Sequence, residues 1–123
     1  MRIVLLGEEG VRVEPSAGPL TVEAARPDEI YSPFHMVGSA LGVCTLSVLQ
    51  SWAAVARLDA HRIAIEVRWR FVEDPHRIGA YEIRLEWPDL DAHRRAAAER
   101  VAGMCAVKNT LLVPPEVTLT VAT

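Results

Sequence analysis

The clearest pattern in the chain is an alternation of apolar and charged residues between positions 61 and 73. Apolar side chains occupy every second position there, namely Ile63, Ile65, Val67, Trp69 and Phe71. Glutamate and arginine fill most of the positions between them. A period of two predicts a half-buried antiparallel strand. A second alternating stretch, from Tyr81 to Trp87, follows a turn at positions 73–79, so the pattern predicts a hairpin.

A long helix is predicted before this hairpin. Ser32 is a good N-cap residue, and Pro33 suits the first helical position. From Phe34 to Ala56 the chain contains no Asp, Glu, Lys or Arg, and we expect the helix to reach about Leu58. Such a segment is long enough to span a bilayer. Its serine, threonine, glutamine and glycine residues instead favour a central helix that is buried on nearly every side.

A second, amphipathic helix is predicted after the hairpin. Pro88 and Asp89 precede it, and it runs from Leu90 to about Lys108. Its apolar side, which we expect to face the core, consists of Leu90, Ala97, Val101 and Met104. Asn109 tolerates the left-handed conformation that ends many helices, so the helix is expected to stop there.

Short strands are predicted at both ends of the chain. Near the start they cover positions 2–6, 11–14 and 20–24, and a loop over 25–31 leads to the long helix. Near the end, the alternation over 117–121 predicts a last strand. The order of elements indicates one α+β domain over the whole chain, an antiparallel sheet with helices on one face.

Composition limits the possible partners. Half of the 123 residues are hydrophobic and the net charge is −3, with both signs mixed along the chain. Because no basic block is present, we expect no nucleic-acid partner. The apolar start is too short for a signal peptide, so we expect a cytoplasmic protein that no membrane holds. The hydrophobic surplus hints at a second buried surface, such as a dimer interface.

Two cysteines, Cys44 and Cys105, are the candidates for chemistry. They are too few and too far apart for a zinc site, the four histidines lack ligand spacing, and we expect neither a metal nor a cofactor. The two thiols are expected to be reduced. A redox function needs one nucleophilic thiolate and one thiol to resolve it, whereas free cysteines often only pack in a core.

The environments of the two cysteines differ. Cys44 lies about three turns into the long helix on an apolar face, where burial raises the thiol pKa unless a cation approaches. The candidate cations are Arg12, Arg26 and Lys108. Cys105 is expected in the last turn of the second helix, where the helix dipole opposes a thiolate and Lys108 favours it. We therefore expect Cys44 to attack and Cys105 to resolve.

Apolar residues of the long helix are candidates for a pocket near Cys44. They are Phe34, Val37, Leu41 and Trp52. Trp52 falls on the Cys44 side of the helix, although packing in the core is the simpler role for a tryptophan.

Three features together resemble the OsmC/Ohr family. Ser32-Pro33 opens a long helix that leads through Gly38-Ser-Ala-Leu-Gly-Val to Cys44, similar to the family's segment before its peroxidatic cysteine. The segment Met104-Cys105-Ala-Val-Lys looks like the one around the family's resolving cysteine. The order of elements, with a hairpin between two helices, is also similar. The resemblance extends from Ser32 to Val121.

The resemblance implies a function and a partner. It implies an intertwined homodimer with the long helices at its centre and the cysteines near the interface. It also implies reduction of organic or fatty-acyl hydroperoxides, in which Cys44 attacks the peroxide, forms a sulfenic acid and condenses with Cys105. An external dithiol then restores both thiols.

The chain departs from the peroxidase branch at two places. That branch has a glutamate directly after the helix-opening proline, which helps to hold a catalytic arginine, and this chain has Phe34 there. The arginine normally comes from the N-terminal hairpin turn, where this chain has Glu8 and Glu9. Arg12 is the nearest arginine in sequence. These departures leave open a second function, a non-catalytic relative that binds a small apolar ligand or senses redox state.

Overall fold

The computed structural model describes residues 2–5, 11–14, 22–23, 30–31 and 33–122. The strands are β1 (Arg2–Leu5), β2 (Val11–Glu14), β3 (Val22–Glu23), β4 (Ile30–Tyr31), β5 (Ala64–Val72) and β6 (Arg77–Glu86). The helices are α1 (Pro33–Ala56), α2 (Arg95–Ala102) and α3 (Ala106–Leu112), and a 3-10 turn, Ala92–Arg94, precedes α2. The predicted α+β class is confirmed.

The strands form two antiparallel sheets. The larger one has the order β2-β1-β5-β6, and the smaller one pairs β3 with β4. Strand β1 joins the N-terminal hairpin to the central one because Ile3 pairs with Val13 on one side and with Ile65 on the other. The predicted loop over 25–31 is therefore wrong at its end, where Ile30 and Tyr31 pair with β3.

The β5–β6 hairpin follows the predicted alternation. Ile63, just before β5, is buried, as are Ile65 and Val67 within the strand. Trp87, just after β6, is also buried and donates its indole N–H to the Asp59 carbonyl oxygen at 2.8 Å. These residues face α1 and α2 and form the main core together with Leu46, Leu49, Ala53 and Ala98. The core is thus a layer between one sheet face and the helices.

Helix α1 begins at Pro33, as predicted, and ends at Ala56. Arg57 follows in the left-handed conformation, with φ of 55°. The N–H of Leu58 then donates to the carbonyl oxygen of Ala53 at 2.8 Å, which is the bond of a Schellman cap. This cap ends the helix about two residues before the predicted boundary.

The expectation that α1 is buried on nearly every side is wrong for the single chain. Its buried residues form one stripe: His35, Gly38, Leu41, Gly42, Thr45, Leu46, Leu49 and Ala53. Met36, Val37 and Val55 are exposed, because the sheet and the two shorter helices cover only part of the surface of α1. By length and composition α1 could cross a membrane, a property that it shares with core helices of soluble proteins.

The second helix is not continuous. Helix α2 ends before Gly103, whose N–H donates to the Glu99 carbonyl oxygen at 3.0 Å. Cys105 then takes an extended conformation and caps α3. Asn109 therefore lies within α3 and does not end the helix. Met104, predicted to face the core, is 69% exposed because it lies in the turn between α2 and α3.

The last predicted strand is also wrong in the single chain. Residues 114–122 form no regular element, and Val117, Leu119 and Val121 are exposed. Their alternating pattern has no sheet to pack against within the described residues. The prediction of Ser32 as the N-cap of α1 lies outside the described residues, as do Glu8 and Glu9 of the N-terminal turn.

One buried histidine gives the fold an expected pH dependence. His35 is 3% exposed and its ring packs edge-on against Trp69 with centroids 5.0 Å apart. Burial lowers its pKa. The unfolded chain therefore binds the proton more tightly than the folded chain does. As the pH drops from the ordinary pKa of histidine through the lowered pKa of His35, the free energy of unfolding is expected to fall.

Urea unfolding at neutral and mildly acidic pH measures this effect. In a His35→Phe variant, which keeps an aromatic ring at this position, the stability loss on acidification should be smaller than in wild type. The exposed His93, changed to Phe, is the matched control and should leave the loss unchanged. An equal loss in wild type and His35→Phe would contradict the prediction.

Candidate functional site

The structure brings the two cysteines together. Cys44 lies in the middle of α1 and Cys105 lies in the bend between α2 and α3, and both are free thiols. Their side chains are in hydrogen-bonding contact. Sequence spacing could not establish this contact, because it depends on the packing of α3 across α1. Cys44 is half-buried, whereas Cys105 is fully buried.

Cys105 is held by its own backbone segment and by α1. Its sulfur accepts a hydrogen bond from the N–H of Lys108 at 3.4 Å, and this bond caps α3. Its single S–H proton can be donated either to the carbonyl oxygen of Leu41, 3.9 Å from the sulfur, or to Cys44. The expectation that Cys105 lies in the last turn of a helix is therefore wrong. It precedes the first turn of α3, where backbone N–H groups favour a thiolate.

Cys44 has a pKa below the ordinary cysteine value. Burial is the largest influence and acts to raise the pKa, but three hydrogen bonds together outweigh it. They come from the Cys105 thiol and from the backbone N–H groups of Val107 and Ala106. Hydrogen bonds to the charged form favour ionisation. Among the described residues, neutral N–H and S–H donors therefore replace the cation that the sequence suggested.

Cys105 has the opposite shift. Burial raises its pKa, and the hydrogen bond with Cys44 raises it further. The N–H of Lys108 and the hydroxyl of Thr45 act in the other direction and do not outweigh burial. The opposite shifts mean that Cys44 loses its proton before Cys105 does.

The predicted activating cations have different positions. The backbone N–H of Lys108 donates to the Cys105 sulfur. The side-chain amine of Lys108 lies close to Gly103, 3.5 Å from the position that a β-carbon on this glycine would occupy. Lys108 thus acts on Cys105 through its backbone N–H and not as the predicted cation. Arg12 lies in β2, and Arg26 lies outside the described residues. Their roles stay predictions.

A cavity of about 780 Å³ lies between β6, α2 and the start of α3. Leu85, Trp87 and Ala98 give it apolar walls, and Arg95 and Lys108 bring positive charge. Thr45, directly after Cys44, also lines it. The cavity therefore extends to the α1 turn that carries Cys44.

None of the four residues predicted to form a pocket lines this cavity. Phe34 packs edge-on against Phe71 at 4.8 Å, and Trp52 packs against Trp87 at 6.0 Å. Leu41 is buried beside Cys105, and Val37 is partly exposed. Phe34 and Trp52 are 18 positions apart, which is about 27 Å along a helix. The single chain therefore does not bring Phe34 and Trp52 together, and a pocket formed by these residues stays a prediction.

Sequence reasoning missed three residues of the site. Ala106 and Val107 act only through backbone N–H groups, for which a sequence carries no side-chain signal. Thr45 is 2% exposed, and its hydroxyl acts to lower the pKa of Cys105. A threonine next to a cysteine in an uncharged helix was the available signal. The described residues hold no cluster of three metal-ligating side chains.

We expect the two thiols of the native protein to react with iodoacetamide at very different rates at neutral pH. Cys44 should react first, because its lowered pKa increases the thiolate fraction and its sulfur is half-buried. Cys105 should react only slowly, because it is fully buried and its pKa is raised. Peptide mapping by mass spectrometry after timed quenching measures both rates. Urea-unfolded protein is the control, in which both should react alike, and faster labelling of Cys105 in the native state would contradict the assignment.

The fold and the site together define an α+β protein with a buried pair of unequal thiols. The sequence matches the family of OsmC-like proteins over residues 26–120, and the chain belongs to this family. No curated protein matches the sequence.

A solved structure with a similar fold is an osmotic stress induced and detoxification response protein from Psychrobacter arcticus 273-4. It superposes with a TM-score of 0.60 at 22% sequence identity. The match covers 64% of this chain and 58% of that protein. The chain thus matches less than two thirds of the length of this structural relative, and the likeness supports the fold.

Proposed function

We propose that this protein reduces organic or fatty-acyl hydroperoxides at the expense of a dithiol. The observation that carries the proposal is the contact between two thiols whose pKa values are shifted in opposite directions. The Cys44 thiolate attacks the terminal oxygen of the hydroperoxide and breaks the O–O bond, and the alkoxide that leaves takes a proton from water and departs as an alcohol. Cys44 becomes a sulfenic acid.

The second step uses Cys105. Its sulfur attacks the sulfenic sulfur of Cys44, a disulfide forms, and the hydroxyl leaves with the Cys105 proton as water. An external dithiol then reduces the disulfide and is itself oxidised to a disulfide. The reaction needs no bound cofactor and suits a reducing compartment such as the cytoplasm.

Membership of the OsmC-like family and the stress-related name of the structural relative support a role in oxidative or osmotic stress. The departures at Phe34 and at the N-terminal turn do not remove the means of activation. The N–H groups of Ala106 and Val107 and the Cys105 thiol supply it from within the described chain. Phe34 serves packing, because its ring contacts Phe71.

A stoichiometric oxidation tests the proposal. Reduced protein is mixed with one equivalent of cumene hydroperoxide and digested without reductant. We expect loss of two hydrogen atoms per chain and a peptide pair joined through Cys44 and Cys105, and dithiothreitol should restore the thiols and allow repeated turnover. If the protein consumes no hydroperoxide in the presence of dithiothreitol, the result contradicts the proposal.

The cavity favours a second candidate function, binding of a small apolar ligand without catalysis. Its walls include Leu85, Trp87 and Ala98, and its volume of about 780 Å³ suits a small molecule. Native mass spectrometry of the purified protein distinguishes the two functions. A bound apolar molecule together with no peroxide consumption would favour this candidate.

We also propose that two copies of the chain form a homodimer. Exposed apolar surface is unfavourable in water unless a partner buries it. Such surface lies on α1, where it includes Met36, Val37 and Val55, and over positions 117–121. A second copy would cover both surfaces. Sedimentation equilibrium should give twice the chain mass of 13.5 kDa.

A variant pair tests this interface. Val37→Lys should weaken the dimer, because it places a charge within the apolar surface of α1. His61→Lys, at an exposed polar position, should leave it intact. A wild-type monomer at micromolar concentration contradicts the proposal.

A further inference from the structure

The hydroxyl of Thr45 lies near Cys105, the thiol that loses its proton in the second step of the proposed reaction. Thr45 and Cys105 are 2% and 0% exposed, so water does not solvate either side chain. Both can donate to the same acceptor, the carbonyl oxygen of Leu41, at 2.8 Å from the Thr45 hydroxyl and 3.9 Å from the Cys105 sulfur. The Thr45 hydroxyl also lies near enough to that sulfur to act on it, since it lowers the pKa of Cys105. A threonine hydroxyl has one proton and can rotate between two acceptors.

We propose that Thr45 is a positioning residue for disulfide formation, because its hydroxyl turns from the Leu41 carbonyl to the Cys105 sulfur when that sulfur loses its proton. This inference rests on the proposed function. With Cys105 as a thiol, the Thr45 O–H points to the Leu41 oxygen, as the Cys105 S–H does when it is not donated to Cys44. The S–H proton passes to the sulfenic hydroxyl of Cys44, and the Thr45 hydroxyl turns to donate to the thiolate that develops on Cys105. This thiolate attacks the Cys44 sulfur, the S–S bond forms, and the hydroxyl leaves as water.

The burial of Cys105 makes this donor important. A buried thiolate without water needs hydrogen bonds from the protein. Two groups besides Thr45 face Cys105 from the neighbouring described elements, the Cys44 thiol on α1 and the backbone N–H of Lys108 on α3. During the second step Cys44 is a sulfenic acid and is the group under attack. Thr45 and the Lys108 N–H are then the donors that remain.

Three variants separate a hydrogen-bonding role from a packing role. Thr45→Val keeps the branched shape and removes the hydroxyl, and Thr45→Ser restores the hydroxyl. Ser47→Ala is the matched control, because Ser47 donates to the Val43 carbonyl oxygen at 2.9 Å in the same helix but on an exposed face. Circular dichroism melts verify that each variant is folded.

The first measurement uses no peroxide. In a Cys44→Ala background, the ultraviolet absorbance of the thiolate gives the titration midpoint of Cys105. Thr45→Val should raise this midpoint by about one pH unit, the effect expected for one lost hydrogen bond to a charged group. Thr45→Ser and Ser47→Ala should leave it within a few tenths of a unit of the parent. A Thr45→Val midpoint equal to the parent's overturns the proposal.

The second measurement follows disulfide formation in chains with both cysteines. After one equivalent of cumene hydroperoxide, the sulfenic acid of Cys44 is trapped at timed intervals. Its conversion to the disulfide at neutral pH should slow about tenfold in Thr45→Val, because the thiolate fraction of Cys105 falls with the raised midpoint. An unchanged conversion rate also overturns the proposal. A wild-type protein that forms no sulfenic acid overturns the proposed function, which the peroxide-free titration does not test.

Discussion

Replacing Cys44 with serine is expected to lower dithiol-dependent turnover of cumene hydroperoxide by about 10³-fold or more, because a serine hydroxyl is not ionised at neutral pH. The N–H groups of Ala106 and Val107 and the Cys105 thiol would remain in place. These donors would stabilise a thiolate, but the serine side chain at position 44 stays neutral and offers them no anion. Turnover is measured as hydroperoxide consumed per chain with excess dithiothreitol.

The matched variant is Cys105→Ser. It removes the resolving thiol but leaves Cys44 on α1 with its two backbone donors. We expect it to convert one equivalent of hydroperoxide and to stop at the Cys44 sulfenic acid, without an intramolecular disulfide. Turnover in Cys44→Ser equal to that of wild type would show that Cys44 is not the nucleophile.

The second large effect concerns the core between α1 and the sheet. Leu49 is 0% exposed and packs in the cluster with Ile65 and Val67. Leu49→Ala should lower the free energy of unfolding by about 3 kcal/mol, because it removes buried apolar surface and leaves a cavity in a packed layer. Urea denaturation measured by circular dichroism gives this change.

Leu112→Ala is the control for this prediction. Leu112 is 68% exposed at the end of α3, so the same chemical change should cost less than about 1 kcal/mol. Similar losses for the two variants would mean that Leu49 is not in a packed core or that Leu112 is buried in an assembly. The mass measured by sedimentation equilibrium distinguishes these two explanations.

The sequence predicted those parts of the fold that depend on local periodicity. The β5–β6 hairpin follows from strict alternation, and α1 begins at Pro33 because its ring fits the first helical position. The sequence predicted less well where one residue interrupts a regular pattern. Apolar periodicity continues through Gly103, but Cys105 is extended and begins α3 with its sulfur as the cap. Cysteine is not among the preferred N-cap residues, so the pattern gave no sign of the break.

The sequence predicted the two cysteine side chains of the site but not the backbone groups that surround them. Cys44 and Cys105 were identified, and the resemblance to the family implied their pairing. The electrostatics of the pair could not be predicted, because they depend on backbone N–H groups that any residue carries. The break at Gly103 and Met104 determines where those groups point. The exposed pattern over 117–121 was interpreted as a strand, although the single chain provides no neighbour for it.

The disulfide of the proposed reaction would make the durability of the fold depend on its oxidation state. Cys44 and Cys105 are 61 positions apart, and a bond between them would tie the middle of α1 to the start of α3. Closing a loop of this length reduces the conformational entropy of the unfolded chain, which corresponds to about 4 kcal/mol in the chain-entropy description. The oxidised protein would then resist heat and proteases better than the reduced one, so under the proposed function the chain would be degraded most slowly while hydroperoxide keeps it oxidised.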